Sequence, residues 1–267
     1  MIKMIASDLD GTLLFNRAQF LPEEIFPLIR ELKELGILFV AASGRQYPNM
    51  KRMFQPVESD VAYICENGAL SVENGQVLYQ DGFDRKLAEE IISTIMAKED
   101  AEFTCSARDW HYLMPKSEAF RHYMVDVVQN DCKFIRTLDD ITEPVMKLAV
   151  YEPSGITDES VHYWNDRFGK QCKVVTSGNE WIDFIPFGTN KAKGIQAFQK
   201  KYNILPQECM AFGDEYNDIE MLQTVGYSFA MSHSKEGVKK AALWQTDRVE
   251  PVLRKLIKAK GKIEEVI

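Results

Sequence analysis

The chain has 267 residues, 45% of them hydrophobic, and 40 acidic against 32 basic side chains give a formal net charge of -8. That apolar content suffices for one large domain or two modest ones, and the acidic balance argues against nucleic acid or an anionic membrane as partner. Five widely spaced cysteines, odd in number and without a C-x-x-C pair, argue against a disulfide framework or zinc site and for free thiols in a reducing compartment.

Taken in order, residues 1–6 read as a buried strand, and residues 22–36 as a helix with Ile25, Leu28, Ile29, Leu32 and Leu35 at helical spacing and Gly36 as its stop. Pro27 fits only in the first turn. Residues 37–42 and 61–65 read as strands and 47–54 as a short helix, a rhythm that implies parallel pairing. Near residue 80 the pattern changes. Helices are expected at 84–99, 117–130 and 158–169, with one or two strands in 101–115 and further strands at 145–152, 173–177 and 181–186. Strand and helix alternation then resumes, with helices at 191–202, 218–224 and 248–259 and strands at 208–213 and 227–231. The expected fold class is α/β: a doubly wound, mostly parallel Rossmann-like core sheet, with residues 1–81 and 188–267 as core and 82–187 as an inserted α+β domain. No leader pattern opens the chain and no 18-residue apolar run occurs, so a cytoplasmic protein is expected, neither secreted nor membrane-spanning.

Three polar clusters each follow an apolar strand: Asp8-Leu9-Asp10-Gly11-Thr12, Ser43-Gly44-Arg45 and Asp214-Glu215-Tyr216-Asn217-Asp218. In open parallel sheets the ligand crevice lies beyond the carboxyl ends of the strands, so the three would converge. Asp8 at a strand tip suits a covalent nucleophile toward phosphorus, and Asp10 a general acid and base; the plain alternative for D-x-D-G is a turn. The Ser43 hydroxyl and Gly44 N–H suit a phosphate oxygen, while Arg45 either meets substrate or pairs on the surface. Lys191 and Lys193 open a helix whose dipole there prefers anions, which hints at an anionic ligand; a solvated lysine is the alternative. A helix starting at Asp218 would put Asp214, Asn217 and Asp218 on one face of its first turn. Capping accounts for one of these groups, and a hard cation such as Mg²⁺ could use the carboxylates. The four histidines, His111, His122, His162 and His233, form no pair at metal-ligand spacing and read as surface or packing residues.

In this order, D-L-D-G-T, S-G-R, N-K and G-D-x-x-N-D resemble the haloacid dehalogenase superfamily of phosphohydrolases. The long insertion, "CENGA" at 65–69 and "GDEYNDIEMLQTVGYSFAM" are similar to its Cof-like phosphatase branch with a type-two α/β cap. The resemblance implies Asp8 as nucleophile and Asp10 as general acid and base. It further implies Mg²⁺ held by the Asp8 carboxylate, the Asp10 main-chain carbonyl and the Asp214 carboxylate, with Asp218, Thr12 and Arg45 in support. Leu9, Ser43, Gly44, Lys191 and Asn217 would hold the phosphoryl group. The cap would cover the crevice and meet the leaving group, with Asn179, Glu180 and Trp181 as candidates, although packing is an equal reading for Trp181. Two departures stand out: Ser43 replaces the more frequent threonine, and Ser232, His233 and Ser234 follow "FAM" where that branch commonly has glycine and asparagine.

The expected function is Mg²⁺-dependent hydrolysis of small phosphorylated metabolites, such as sugar phosphates or similar phosphomonoesters, through an aspartyl-phosphate. A sugar-phosphate phosphomutase shares that intermediate, and a non-catalytic phospho-ligand-binding protein would retain the same fold. Without an apolar stripe at the surface, a monomer is the simpler expectation.

Overall fold

The computed structural model describes residues 1–15 and 20–266. Two units divide the chain: Met1–Tyr79 with Asn190–Ile267, and Gln80–Thr189 inserted between them.

The first unit is built as β1 (Met4–Ser7), α1 (Ile25–Glu34), β2 (Leu38–Ala42), α2 (Tyr47–Met53), β3 (Val61–Cys65), β4 (Leu70–Glu73) and β5 (Gln76–Gln80). The second unit adds α3 (Arg85–Ala97), β6 (Glu102–Ser106), β7 (His111–Leu113), α4 (Glu118–His122), β8 (Cys132–Phe134), β9 (Lys147–Tyr151), α5 (Asp158–Phe168), β10 (Cys172–Thr176) and β11 (Trp181–Pro186). The first unit resumes with α6 (Lys191–Tyr202), β12 (Cys209–Gly213), α7 (Ile219–Thr224), β13 (Tyr227–Met231), α8 (Glu236–Ala241), β14 (Trp244–Thr246) and α9 (Val249–Lys258).

The first unit's sheet runs β14-β13-β12-β1-β2-β3-β4-β5. Its six strands from β14 to β3 are parallel, and β4 turns back antiparallel on β3. Parallel strands covered by helices are apolar on both faces, and β1, β3 and β12 are buried throughout. Because β1 lies between β2 and β12, its carboxyl end is the topological switch point where such sheets bind ligands. Helix α1 buries Ile25, Leu28, Ile29 and Leu32, one stripe at helical spacing. Pro27 sits in its first turn, where a missing N–H costs nothing.

The second unit's sheet runs β10-β11-β9-β6-β7-β8, antiparallel except for the β7–β8 pair. Ile91, Ile92 and Ile95 of α3 and Trp164 and Phe168 of α5 pack with Phe103, Leu148, Val150, Ile182 and Phe184 of the strands. Both helices are N-capped: Asp84 accepts from the N–H groups of Lys86 and Leu87, and Thr157 accepts from Ser160.

Several elements depart from the sequence reading. The hairpin β4–β5 was not expected, although Asn74 and Gly75 both have positive φ, 49° and 75°, as a two-residue I′ turn requires. The short strands β8 and β14 and the helix α8 are likewise additional. The helix expected at 117–130 is α4 followed by a π-turn over Tyr123–Val127. Asn217 and Asp218 precede α7, in a 3-10 turn over Tyr216–Asp218, and do not lie in its first turn. All five cysteines are free, four of them buried. No helix among the described residues is long and apolar enough to cross a membrane.

Candidate active site

Asp8 follows directly on β1 and is buried. Its Oδ1 accepts from Lys191 Nζ at 2.5 Å, whereas its Oδ2 has no hydrogen-bond partner among the described residues. The chain then turns sharply: the Leu9 carbonyl accepts from the N–H groups of Thr12, Leu13 and Leu14. Gly11 takes φ +90°, and a Cβ there would lie 2.1 Å from Asp214 Oδ2. The D-G pair is therefore a turn as well as part of the polar cluster, and only glycine allows Asp214 so close.

Lys191 is the first residue of α6, whose cap Asn190 accepts from the Lys193 N–H. Its side chain is 0% exposed and bridges Asp8 Oδ1 and Asp218 Oδ1, the latter at 2.6 Å. Solvated it is not. Burial alone would lower its pKa, but the Asp218 and Asp8 carboxylates outweigh burial and raise it above the ordinary lysine value, so it stays an ammonium. Burial pushes the Asp8 carboxyl well above the usual range; Lys191 opposes this, and the charges of Asp218 and Asp214 add to it. One lysine does not offset three clustered carboxylates.

Asp218 Oδ2 accepts from the N–H groups of Asp214 and Glu215 at 2.9 and 3.1 Å. Both its oxygens are thus engaged, in a cap and in an ion pair. Asp214 Oδ1 accepts from the Thr12 hydroxyl at 3.3 Å. Burial first, then the Asp218 charge, raises its carboxyl above the usual value. Asp8, Asp214 and Asp218 each bring one oxygen within 4.8 Å of the others. These hard oxygens, together with the unpartnered Asp8 Oδ2, fit a divalent cation such as Mg²⁺. Asp8 and Asp214 are the better donors, because Asp218 is already committed.

Asp10 turns its side chain away from this cluster. The carboxylate is 53% exposed and accepts twice from Arg45, at 2.7 and 2.8 Å. Arg45 also reaches Asn49 Oδ1 at 3.2 Å, and its backbone N–H donates to Ser43 Oγ. Ser43 is buried at the end of β2. Gly44 lies against Asn67, whose Oδ1 would be 3.0 Å from a Cβ on that glycine. Asn67 Oδ1 accepts from Asn217 Nδ2 at 2.9 Å.

Asn67 and His233 therefore join the expected site residues, although the sequence reading assigned neither of them a role there. Asn67 belongs to Glu66-Asn67-Gly68, three consecutive residues with positive φ. Its Gly68 abuts the Asn190 carbonyl, 2.0 Å from where a Cβ would sit, so the loop seats the start of α6. His233, expected as a surface or packing residue, is exposed and also has Nε2 3.5 Å from Asp214 Oδ2. The cue was present: it follows β13 just as the other clusters follow their strands.

His111 does pack. It is buried in the second unit with Nε2 2.5 Å from Ser106 Oγ, and Asn130 Nδ2 donates to its Nδ1. Since Nδ1 accepts, the ring proton is on Nε2 and is given to Ser106, so this pair is no nucleophile and base. Burial, then the Lys147 charge, lowers the His111 pKa to about 3. Trp181 is 4.7 Å from the Tyr151 ring and packs on Tyr123 and Phe120 in the same unit.

Buried carboxylates and a lysine at the switch point of a doubly wound sheet define an α/β protein with a strand-tip ionic site. The chain belongs to the haloacid dehalogenase-like hydrolase family, whose model matches residues 5–251, so the resemblance read from the motifs holds. It is 25% identical over 269 residues to the 5-amino-6-(5-phospho-D-ribitylamino)uracil phosphatase YbjI of Escherichia coli, covering 99% of each chain. It is also 25% identical over 250 residues to the HMP-PP phosphatase of Citrobacter koseri, covering 88% of this chain and 85% of that one. A crystal structure of a Eubacterium rectale protein superposes with a TM-score of 0.85 at 26% identity, over 95% of this chain and 98% of the other.

Proposed function

We propose that the protein is a Mg²⁺-dependent phosphatase of small phosphorylated metabolites, sugar phosphates or similar phosphomonoesters. The observation that carries this reading is Asp8: a buried carboxylate at the tip of β1, with one oxygen on Lys191 and the other without a hydrogen-bond partner among the described residues. A group so placed is fixed by the sheet, with one oxygen that no hydrogen bond among the described residues engages. The two named phosphatases, one for a phosphorylated ribitylamino-uracil, support small phosphorylated metabolites as the substrate class.

In this reading an Asp8 oxygen attacks phosphorus, and the bond to the leaving oxygen breaks with its electron pair on that oxygen. Asp10 supplies the proton. Water then attacks the aspartyl-phosphate, Asp10 takes its proton, and the Asp8–phosphorus bond breaks to restore the carboxylate and release phosphate. Both Asp10 oxygens accept from Arg45, so acid–base work asks the guanidinium to release one of them. Lys191, the Ser43 hydroxyl, the Gly44 and Leu9 backbone and Asn217 hold the phosphoryl oxygens, and for this reaction class positioning and electrostatics supply most of the rate. Asp8 and Asp214 with the Asp10 carbonyl would hold Mg²⁺, which supplies positive charge to the nucleophile and the phosphoryl oxygens.

The test is phosphate release from p-nitrophenyl phosphate and a panel of sugar phosphates, with and without Mg²⁺. Release that needs the cation and is lost in Asp8→Asn is expected. No release, or release that survives Asp8→Asn, would overturn the reading.

A further inference from the structure

We infer that His233 acts toward the cation of this site: its imidazole supplies a nitrogen donor beside Asp214 and shifts the site's preference toward nitrogen-accepting first-row metals. The inference rests on the proposed cation dependence and adds to it a residue and a selectivity.

The remaining donors are carboxylates and a carbonyl, a set suited to hard cations such as Mg²⁺. An imidazole suits nickel, iron and zinc. His233 leaves the carboxyl end of β13, two strands from β1 in the same sheet, and its Nε2 lies 3.5 Å from Asp214 Oδ2. With metal–ligand bonds of about 2.1 Å, neighbouring donors of an octahedral ion stand about 3 Å apart, so only a small closing separates this pair from joint coordination. The other Asp214 oxygen is held by Thr12, which leaves Oδ2 to the side where the imidazole stands.

The ring is also oriented. Phe15 meets it edge-on, with centroids 6.0 Å apart at 69°, and the Arg248 guanidinium lies over Phe15 at 5.6 Å. Arg248 is itself fixed by Glu250 and Glu24. The side chain remains 49% exposed, so a substitution there disturbs little packing. A histidine that merely paired with an aspartate would leave metal preference untouched, which separates the two accounts.

Tag-free wild type, His233→Asn and His233→Gly would be titrated calorimetrically with Mg²⁺ and, separately, Ni²⁺, and the Mn²⁺-loaded wild type examined by pulsed electron paramagnetic resonance. The expected results are a Ni²⁺-over-Mg²⁺ affinity ratio about tenfold or more lower in His233→Gly, nearly unchanged Mg²⁺ affinity, and a nitrogen coupling to Mn²⁺ in the wild type. An unchanged ratio overturns the inference while leaving the phosphatase reading intact, as does a Mn²⁺ spectrum without nitrogen coupling. Failure of all three proteins to bind any of these ions overturns both.

Discussion

Two buried polar clusters, one in each unit, use similar residue types to opposite ends. In the second unit Ser106, His111 and Asn130 satisfy one another: each imidazole nitrogen has a partner, and burial keeps the ring neutral. In the first unit Asp8, Asp214 and Asp218 crowd together with a single lysine bridging Asp8 and Asp218, and one Asp8 oxygen has no partner among the described residues. Buried polar groups are normally paired, and buried charge is costly unless compensated. The satisfied cluster holds two strands together; the unsatisfied one is set up to receive something. A Ser–His contact read from residue types alone would have reversed that assignment.

The comparison is broken or sharpened most strongly at Asp8. Asp8→Asn should lower turnover by about 10³-fold or more without loss of fold, because it removes one of three like charges. Steady-state kinetics and circular dichroism check both halves. Lys191→Met should destabilise the protein by about 3–5 kcal/mol, the cost of leaving buried carboxylates without their cation, read from urea unfolding. Gly11→Ala should cost about 1–3 kcal/mol from its positive φ alone, with weakened cation binding because Asp214 must move; thermal unfolding and calorimetry separate the two effects.

The mildest test falls on the other cluster. The folded His111 pKa lies at about 3, below an unfolded value of about 6.5. Its contribution to stability is therefore present above the unfolded value and is lost as pH falls from there toward 3, where the unfolded chain takes a proton that the fold refuses. Between pH 6 and 5 the wild type should lose stability relative to His111→Gln at about 1.4 kcal/mol per pH unit, measured as the difference between their unfolding curves. Phosphatase activity that vanished in His111→Gln, with the fold intact, would break the comparison.

Much of this was legible in the sequence because it is local or periodic. The buried parallel strands announce themselves as apolar runs, and β3, β11, α6 and β13 fall where the pattern put them. What escaped was of two kinds. β5 is an edge strand with little apolar burial and β8 and β14 have three residues each, so alternation had almost nothing to act on; Asn74-Gly75 carried the hairpin signal instead. The site's finer geometry escaped because it is tertiary. Asp218 turns inward through a 3-10 turn while Asn217 turns to Asn67, and no spacing rule reports that Asp10 is held by Arg45.

The central position of β1 also bears on how the chain is made. Asp8 is translated 183 residues before Lys191, its partner. At about 5–20 residues per second, synthesis must continue for roughly ten seconds or more before that ammonium exists. During that interval β12, which flanks β1 on the side opposite β2, has yet to be translated. Until Lys191 and β12 are made, the growing chain therefore lacks both the cation that pairs with Asp8 and the strand that completes the pairing of β1.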